Sequence, residues 1–114
     1  MIDIIEYKYF KKLDIRVGLI KACEFIPKSK HLYKLLVDCG DSKLRQIITG
    51  ISEFYSPEEL VERKIVVLAN LVPKKILGLE SQGMLLAADF NGEPFLLKID
   101  ERNGKEVPIG SVIK

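Results

Sequence analysis

The chain is poor in the residues from which active sites are usually built. It has one histidine, His31, two cysteines, Cys23 and Cys39, and no tryptophan among its 114 residues. General acid–base and nucleophilic schemes need a reactive group oriented by a partner and a third group. No such set is visible here, so an enzyme is the minority reading. Two cysteines make neither a disulfide framework nor a metal-ligand spacing. Both sit in apolar, strand-like runs, where free cysteine is commonly buried. Two buried thiols are therefore expected, and pairing stays open because sequence does not give their separation. Gly-rich phosphate loops, zinc spacings and calcium loops are all missing, so no cofactor and no metal are expected. Long apolar runs are missing too: none reaches the roughly 18 residues of a membrane helix. Asp3, Glu6 and Lys8 stand where a secretory signal would need an apolar stretch. These absences lead to the expectation of a cytoplasmic protein with no membrane partner. A strong excess of one charge is also lacking. The net charge is +2, so the total does not argue for nucleic acid, and the distribution of charge has to.

What is there describes one soluble globular domain, 1–114, with 47% hydrophobic and 30% charged residues and no repeat or linker. Ile4 to Lys12 is a candidate helical lead-in, with Ile4, Ile5 and Tyr9 at helical spacing. From Ile15 the pattern becomes that of a strand, and its alternation changes phase at Ile20 and Ala22. A phase change beside Gly18 predicts a bulge or bend there. Leu32 to Cys39 alternates, with Tyr33, Leu35, Val37 and Cys39 on one face. Gly40, Asp41 and Ser42 supply turn chemistry, and Leu44 to Thr49 returns as a third strand. Ser56, Pro57 and Glu59 form a capping box with proline at the first helical position, flanked by Tyr55 and Leu60 as a hydrophobic staple. A short helix, Pro57 to Val61, follows, and then a continuous apolar strand, Lys64 to Ala69. Leu71 to Gln82 is read as a loop of about a dozen residues, longer than most. Gly83 to Ala88 is a fifth strand. Three strands, a short helix and two strands is the order of a five-stranded OB-fold barrel in the all-β class. Beyond it, Asn91-Gly92 predicts a hairpin, continued by alternating Phe95, Leu97 and Ile99. Val107 to Ile113 predicts a last short strand, with Pro108 favouring an edge. An extra C-terminal β-segment is the result.

Charge separates along the chain. Lys28, Lys30, His31 and Lys34 form one basic stretch and Lys74 and Lys75 another, while the acids gather at Glu53 to Glu62 and Asp100 to Glu106. OB barrels bind nucleic acid through the loop after the first strand and the loop between the fourth and fifth. Those loops here hold both basic stretches. Loops are exposed and polar in general, so plain solvation of these lysines is the competing reading.

The stretch N-L-V-P-K-K-I-L-G (Asn70 to Gly78) followed by S-Q-G-M-L-L-A (Ser81 to Ala87) resembles the signature of the tRNA-binding domain family. That domain occurs at the C-terminus of many methionyl-tRNA synthetases, as a free-standing beta subunit, and in the endothelial-monocyte-activating polypeptide. F-K-K-L-D-I-R-V-G (Phe10 to Gly18) resembles the family's opening strand. Leu32-Tyr33, Val37-Asp38 and R-Q-I-I-T-G-I (Arg45 to Ile51) fit in order as well. The resemblance implies the OB fold and a homodimer that recognises folded tRNA by shape. It also implies service as an auxiliary module, with the methionyl-tRNA synthetase catalytic subunit as a partner. The positions it ties to RNA binding include Asn70, Lys74, Lys75, Ser81 and Met84; Lys30 in the first loop and Arg45 on the third strand complete the candidate set. Two departures stand out: Val72 occupies a place that is often basic, and Ser29-Lys30 replaces the usual alanine–aspartate pair. The first removes one potential phosphate contact.

Each candidate also has a purely structural reading. Asn70 can tie the loop through its amide, Ser81 can serve a turn, Met84 can be core, and Arg45 can pair with an acid. Two rival functions are weighed against RNA binding. A branch of the same family is linked to protein export, which would make this a peptide-binding chaperone; that branch departs from the Ser81-Gln82-Gly83-Met84 pattern. Leu79-Glu80-Ser81-Gln82-Gly83 loosely resembles a nucleophile elbow, which would make it a small hydrolase, but the first glycine is absent.

Overall fold

In the computed structural model, which describes residues 2–114, the alternating runs of the first half pair as an antiparallel meander. A short helix α1 (Tyr7–Phe10) leads into β1 (Ile15–Phe25), β2 (Tyr33–Asp38) and β3 (Arg45–Thr49). Helix α2 (Pro57–Leu60) and β4 (Lys64–Leu68) follow, then β5 (Lys74–Ile76), β6 (Leu79–Ser81) and β7 (Met84–Leu85). The pairing order β3-β2-β1-β4-β7 is antiparallel throughout. The chain leaving β6 then returns to β3, where the Gln82 N–H donates to the Gln46 carbonyl at 2.7 Å. That return nearly closes a five-stranded barrel of the OB type, as the sequence order predicts.

Period-two burial fills the barrel. Tyr33, Leu35, Val37 and Cys39 all point inward, joined by Ile20, Ile47, Ile65 and Val67 from the neighbouring strands. Burying a large aliphatic or aromatic side chain contributes about 1.5–3 kcal/mol, so this cluster is the main source of stability. Helix α2 is held as its sequence dictates. The Ser56 hydroxyl accepts from the Glu59 N–H at 3.3 Å, and the Glu59 carboxylate accepts from the Ser56 N–H at 2.9 Å. Leu60 is fully buried in the barrel core with Tyr55 packed against the same cluster.

The C-terminal segment forms its own hairpin, β8 (Ala87–Phe90) with β9 (Glu93–Leu96). Asn91 and Gly92 at its turn both take positive φ, 52° and 84°, the backbone a tight right-twisted hairpin requires. Its last residue is fastened to the barrel, since the Leu96 N–H donates to the Tyr55 hydroxyl at 3.1 Å while the Tyr33 hydroxyl donates to the Tyr55 carbonyl at 2.7 Å. The final strand β10 (Val112–Ile113) pairs with the start of β1.

Several details differ from the sequence reading. The last strand covers only Val112–Ile113 of the expected Val107 to Ile113, and β9 ends at Leu96, before Leu97 and Ile99. Helix α1 covers only Tyr7–Phe10, with Ile4 and Ile5 outside it and exposed; it has no side-chain cap and buries nothing, and so short a helix is not self-supporting. The break in the β1–β2 register falls between Ile20 and Ala22 rather than at Gly18. The expected loop from Leu71 to Gln82 contains the β5–β6 hairpin. The expected fifth strand divides: Met84–Leu85 stays with β4, and the chain then leaves the barrel as β8. Both cysteines are free, Cys39 buried and Cys23 partly so. Burial, with the Glu58 and Glu24 charges second, pushes the Cys23 thiol up to about 11. No helix among the described residues is long and apolar enough to cross a membrane.

Candidate nucleic-acid interface

The β5–β6 hairpin is built by a two-residue turn in which Leu77 and Gly78 take φ of 50° and 79°. Positive φ at both positions matches the twist of the strands it joins, and glycine bears it without strain. Lys74 pairs across with Ser81, Lys75 with Glu80 and Ile76 with Leu79. Both lysines are exposed. Neither has an acidic partner within ion-pair distance among the described residues, even though Glu80 stands opposite Lys75. Successive strand residues project from opposite faces, so the two ammonium groups leave the hairpin on different sides.

Asn70, Ser81 and Arg45 lie at the base of this hairpin, and there they serve the protein backbone. Asn70 ties the loop to the start of β1: its side-chain carbonyl accepts from the Asp14 N–H at 2.9 Å and its amide donates to the Lys12 carbonyl at 2.6 Å. Ser81 is buried, its hydroxyl accepting from the Ile48 N–H at 3.0 Å. It therefore joins β6 to β3 and has no exposed hydroxyl to offer RNA or a scissile bond. Gln82 completes the seam, accepting from the Gln46 N–H at 3.0 Å, while the Gln46 amide donates to the Glu80 carbonyl at 2.9 Å.

Arg45 also turns inward. Its Nη1 donates to the carbonyls of Ala69 at 2.7 Å and Gln82 at 3.2 Å, and its Nε to Asp41 at 2.7 Å. Asp41 in turn accepts from Arg16 at 2.7 Å, and Arg16 pairs with Asp14 at 2.6 Å. These bonds hold the carboxyls of both aspartates below the usual range. For Asp41 the hydrogen bonds from Arg45 and then Arg16 are responsible, and for Asp14 the bond from Arg16. The same contacts push the Arg16 guanidinium further up. Asp14, Arg16 and Asp41 are residues that the sequence pattern assigned to a strand and a turn. The local signals for their role are the two-residue spacing of Asp14 and Arg16 and the four-residue spacing from Asp41 to Arg45.

The first-loop basic stretch is only partly free. His31 meets Glu53, and Lys34 pairs with Glu24 at 3.3 Å. Lys28 and Lys30 remain exposed without an acidic partner among the described residues. Met84 is half exposed rather than core, at 50%. Between the β2–β3 turn and the chain entering the hairpin runs an open groove of about 340 Å³, lined by Lys43, Leu44, Leu71 and Pro73 above Arg45 and Gln82. Lys43 is a further exposed lysine here that the sequence reading did not single out. Lys74, Lys75 and Met84 are thus presented outward, whereas Asn70, Ser81 and Arg45 are occupied in holding the backbone that presents them.

A family model described as "Putative tRNA binding domain" matches residues 15–109. The methionine–tRNA ligase of Methanothrix thermoacetophila is 52% identical over 111 residues, covering 97% of this chain and 16% of that protein. The methionine–tRNA ligase of Methanocaldococcus jannaschii is 47% identical over 111 residues, covering 96% of this chain and again 16% of that protein. The chain therefore spans about a sixth of the length of these relatives. Among solved structures, a MetRS-related protein from Pyrococcus horikoshii superposes with a TM-score of 0.88 at 38% identity, covering 99% of this chain and all of that one. The CsaA chaperone protein from Picrophilus torridus superposes with a TM-score of 0.85 at 30% identity, covering 97% of this chain and all of that one. With the family model matching most of its length and a solved relative matching it end to end, the chain belongs to the tRNA-binding domain family.

Proposed function

We propose that this chain binds folded tRNA as a non-catalytic homodimeric module in the cytoplasm, serving a methionyl-tRNA synthetase as an auxiliary or beta subunit. The observation that supports the reading is the β5–β6 hairpin, in the connection between β4 and β7 that corresponds to a loop OB folds use for nucleic acid. It holds Lys74 and Lys75 exposed and, among the described residues, unpaired. The likeness to segments of methionine–tRNA ligases supports the choice of RNA and of synthetase partner. Binding works by position: lysines meet phosphates, which carry affinity without sequence information, and a rigid barrel sets which phosphate spacings they fit. The test is a tRNA titration at several salt concentrations. Replacing Lys74 and Lys75 with alanine should weaken binding to all tRNAs about equally and flatten the slope of log affinity against log salt by roughly 0.7 to 0.9 per lost contact. An unchanged slope would mean that both lysines are solvated bystanders and would move the interface to Lys28 and Lys30.

The second reading, a peptide-binding chaperone, is favoured by the superposition on CsaA chaperones. Parallel binding assays with tRNA and with an unfolded polypeptide separate the two. Tight binding of polypeptide with no measurable binding of tRNA would select the chaperone.

A further inference from the structure

Hairpin β5–β6 leaves the barrel after Ala69 and returns at Gln82, so its attitude depends on what holds those two points together. Most bonds at the seam hold the returning end alone: Gln82 and Ser81 bond to β3, and Gln46 reaches the Glu80 carbonyl. The departing end is tied to the chain just before β1, the Ala69 N–H donating to the Asp14 carbonyl and the Asn70 side chain bonding Asp14 and Lys12. Among the described residues, one side chain bonds both ends at once. A single nitrogen of Arg45, Nη1, donates to the Ala69 and Gln82 carbonyls, while its Nε is held by Asp41. Asp41 is itself braced by Arg16, which Asp14 holds.

We propose that Arg45 is the positioning residue of the interface, a clamp that joins the two ends of the hairpin and sets the angle at which it offers Lys74 and Lys75 to RNA. This rests on the RNA-binding reading for its consequence, though the clamp itself is a property of the free protein. Two features set Arg45 apart from a phosphate contact. Its charge is spent inside a set of two guanidinium and two carboxylate groups that sums to zero. Its donors are aimed at two main-chain oxygens and a carboxylate, a pattern that suits the flat guanidinium fork and that a lysine ammonium does not reproduce. The side chain is only 22% exposed.

The experiment compares Arg45→Gln, Arg45→Lys and Asp41→Asn with the unaltered chain, in hydrogen–deuterium exchange of the free protein and in tRNA titrations over a salt series. Exchange should quicken in residues 71–81 for all three variants, while β1, β2 and α2 stay protected. Binding to tRNA should weaken about tenfold in the arginine variants, the order expected from losing a charge-assisted hydrogen bond, with the salt slope unchanged. Arg45→Lys should not restore binding, although it keeps the charge. Asp41→Asn decides the sign. A clamp robbed of its brace weakens tRNA binding, whereas an Arg45 that met phosphate directly would be freed by the same change and bind more tightly. Tighter binding by Asp41→Asn, rescue by Arg45→Lys, or unchanged exchange in residues 71–81 would each overturn the clamp. If the unaltered chain binds no tRNA, the functional reading fails while the exchange data still judge the clamp. If Arg45→Gln does not fold, the other two variants carry the comparison.

Discussion

Gly18 shows how closely the barrel is packed at a single position. A Cβ built there would stand 2.9 Å from Val37 Cγ1 and 3.1 Å from Val67 Cγ2. Both valines are fully buried, so either could give way only by disturbing the core around it. Glycine is required at this site by close approach of side chains, with no help from an unusual φ. Gly18→Ala should cost about 1–3 kcal/mol through overpacking, read as a lower denaturation midpoint with an unchanged slope. Asp41 shows the electrostatic counterpart. Its carboxyl and that of Asp14 lie below the ordinary value of 3.8 because guanidinium groups bond them in the folded state. A depressed folded pKa means that the unfolded chain binds protons first as pH falls. The stability these groups contribute is therefore fully present at neutral pH and is lost as pH drops below 3.8 through the depressed folded values. Asp41→Asn should be less stable than the unaltered chain at neutral pH, and the difference should shrink in acid. A gap in unfolding midpoint that stays constant down to strongly acidic pH would contradict this.

At the level of elements, α2 is specified almost entirely by its own residues. The reciprocal bonds between Ser56 and Glu59 and proline at the first helical position act within a few residues of each other, and only the burial of Leu60 needs the barrel. Ser56→Ala should cost about 1 kcal/mol, measured by chemical denaturation, without moving the barrel strands. The β5–β6 hairpin is the contrary case. Its turn is local, but its register against the barrel depends on Ser81, Gln82 and Arg45 reaching main-chain groups on β3 and at the end of β4. The hairpin is therefore an element whose shape comes from its sequence and whose orientation comes from its neighbours.

For the whole molecule, the large side chains left in water bear on assembly. Ile4, Ile5, Tyr7 and Tyr9 before the barrel, and Phe90, Phe95 and Leu97 after it, are all exposed. The β8–β9 hairpin gives only Leu96 to the barrel core and leaves Phe90 and Phe95 in water, and exposed apolar surface of this kind marks interaction sites. A homodimer covering these segments should sediment at twice the mass of the chain at micromolar concentration. Replacing Phe90 and Phe95 by polar residues should shift it to monomer while leaving the barrel folded. A monomer in the unaltered protein would contradict the homodimer.

The strand runs, the capped helix, the Asn91-Gly92 turn and the OB order were legible in the sequence because each rests on period, on short-range capping or on turn conformation. Those are patterns carried by residues close in the chain, and they can be read without knowing any tertiary contact. Lys74 and Lys75 were legible as candidates for the same reason, since an exposed charge in a loop needs no partner to be noticed. What tertiary structure alone decided was the role of polar groups whose partners lie far along the chain. Asn70 finds Lys12 and Asp14, Ser81 finds Ile48, and Arg45 finds Ala69 and Gln82. A polar side chain can bond RNA or backbone equally well, and only the closing of the barrel brings those main-chain groups within reach of it.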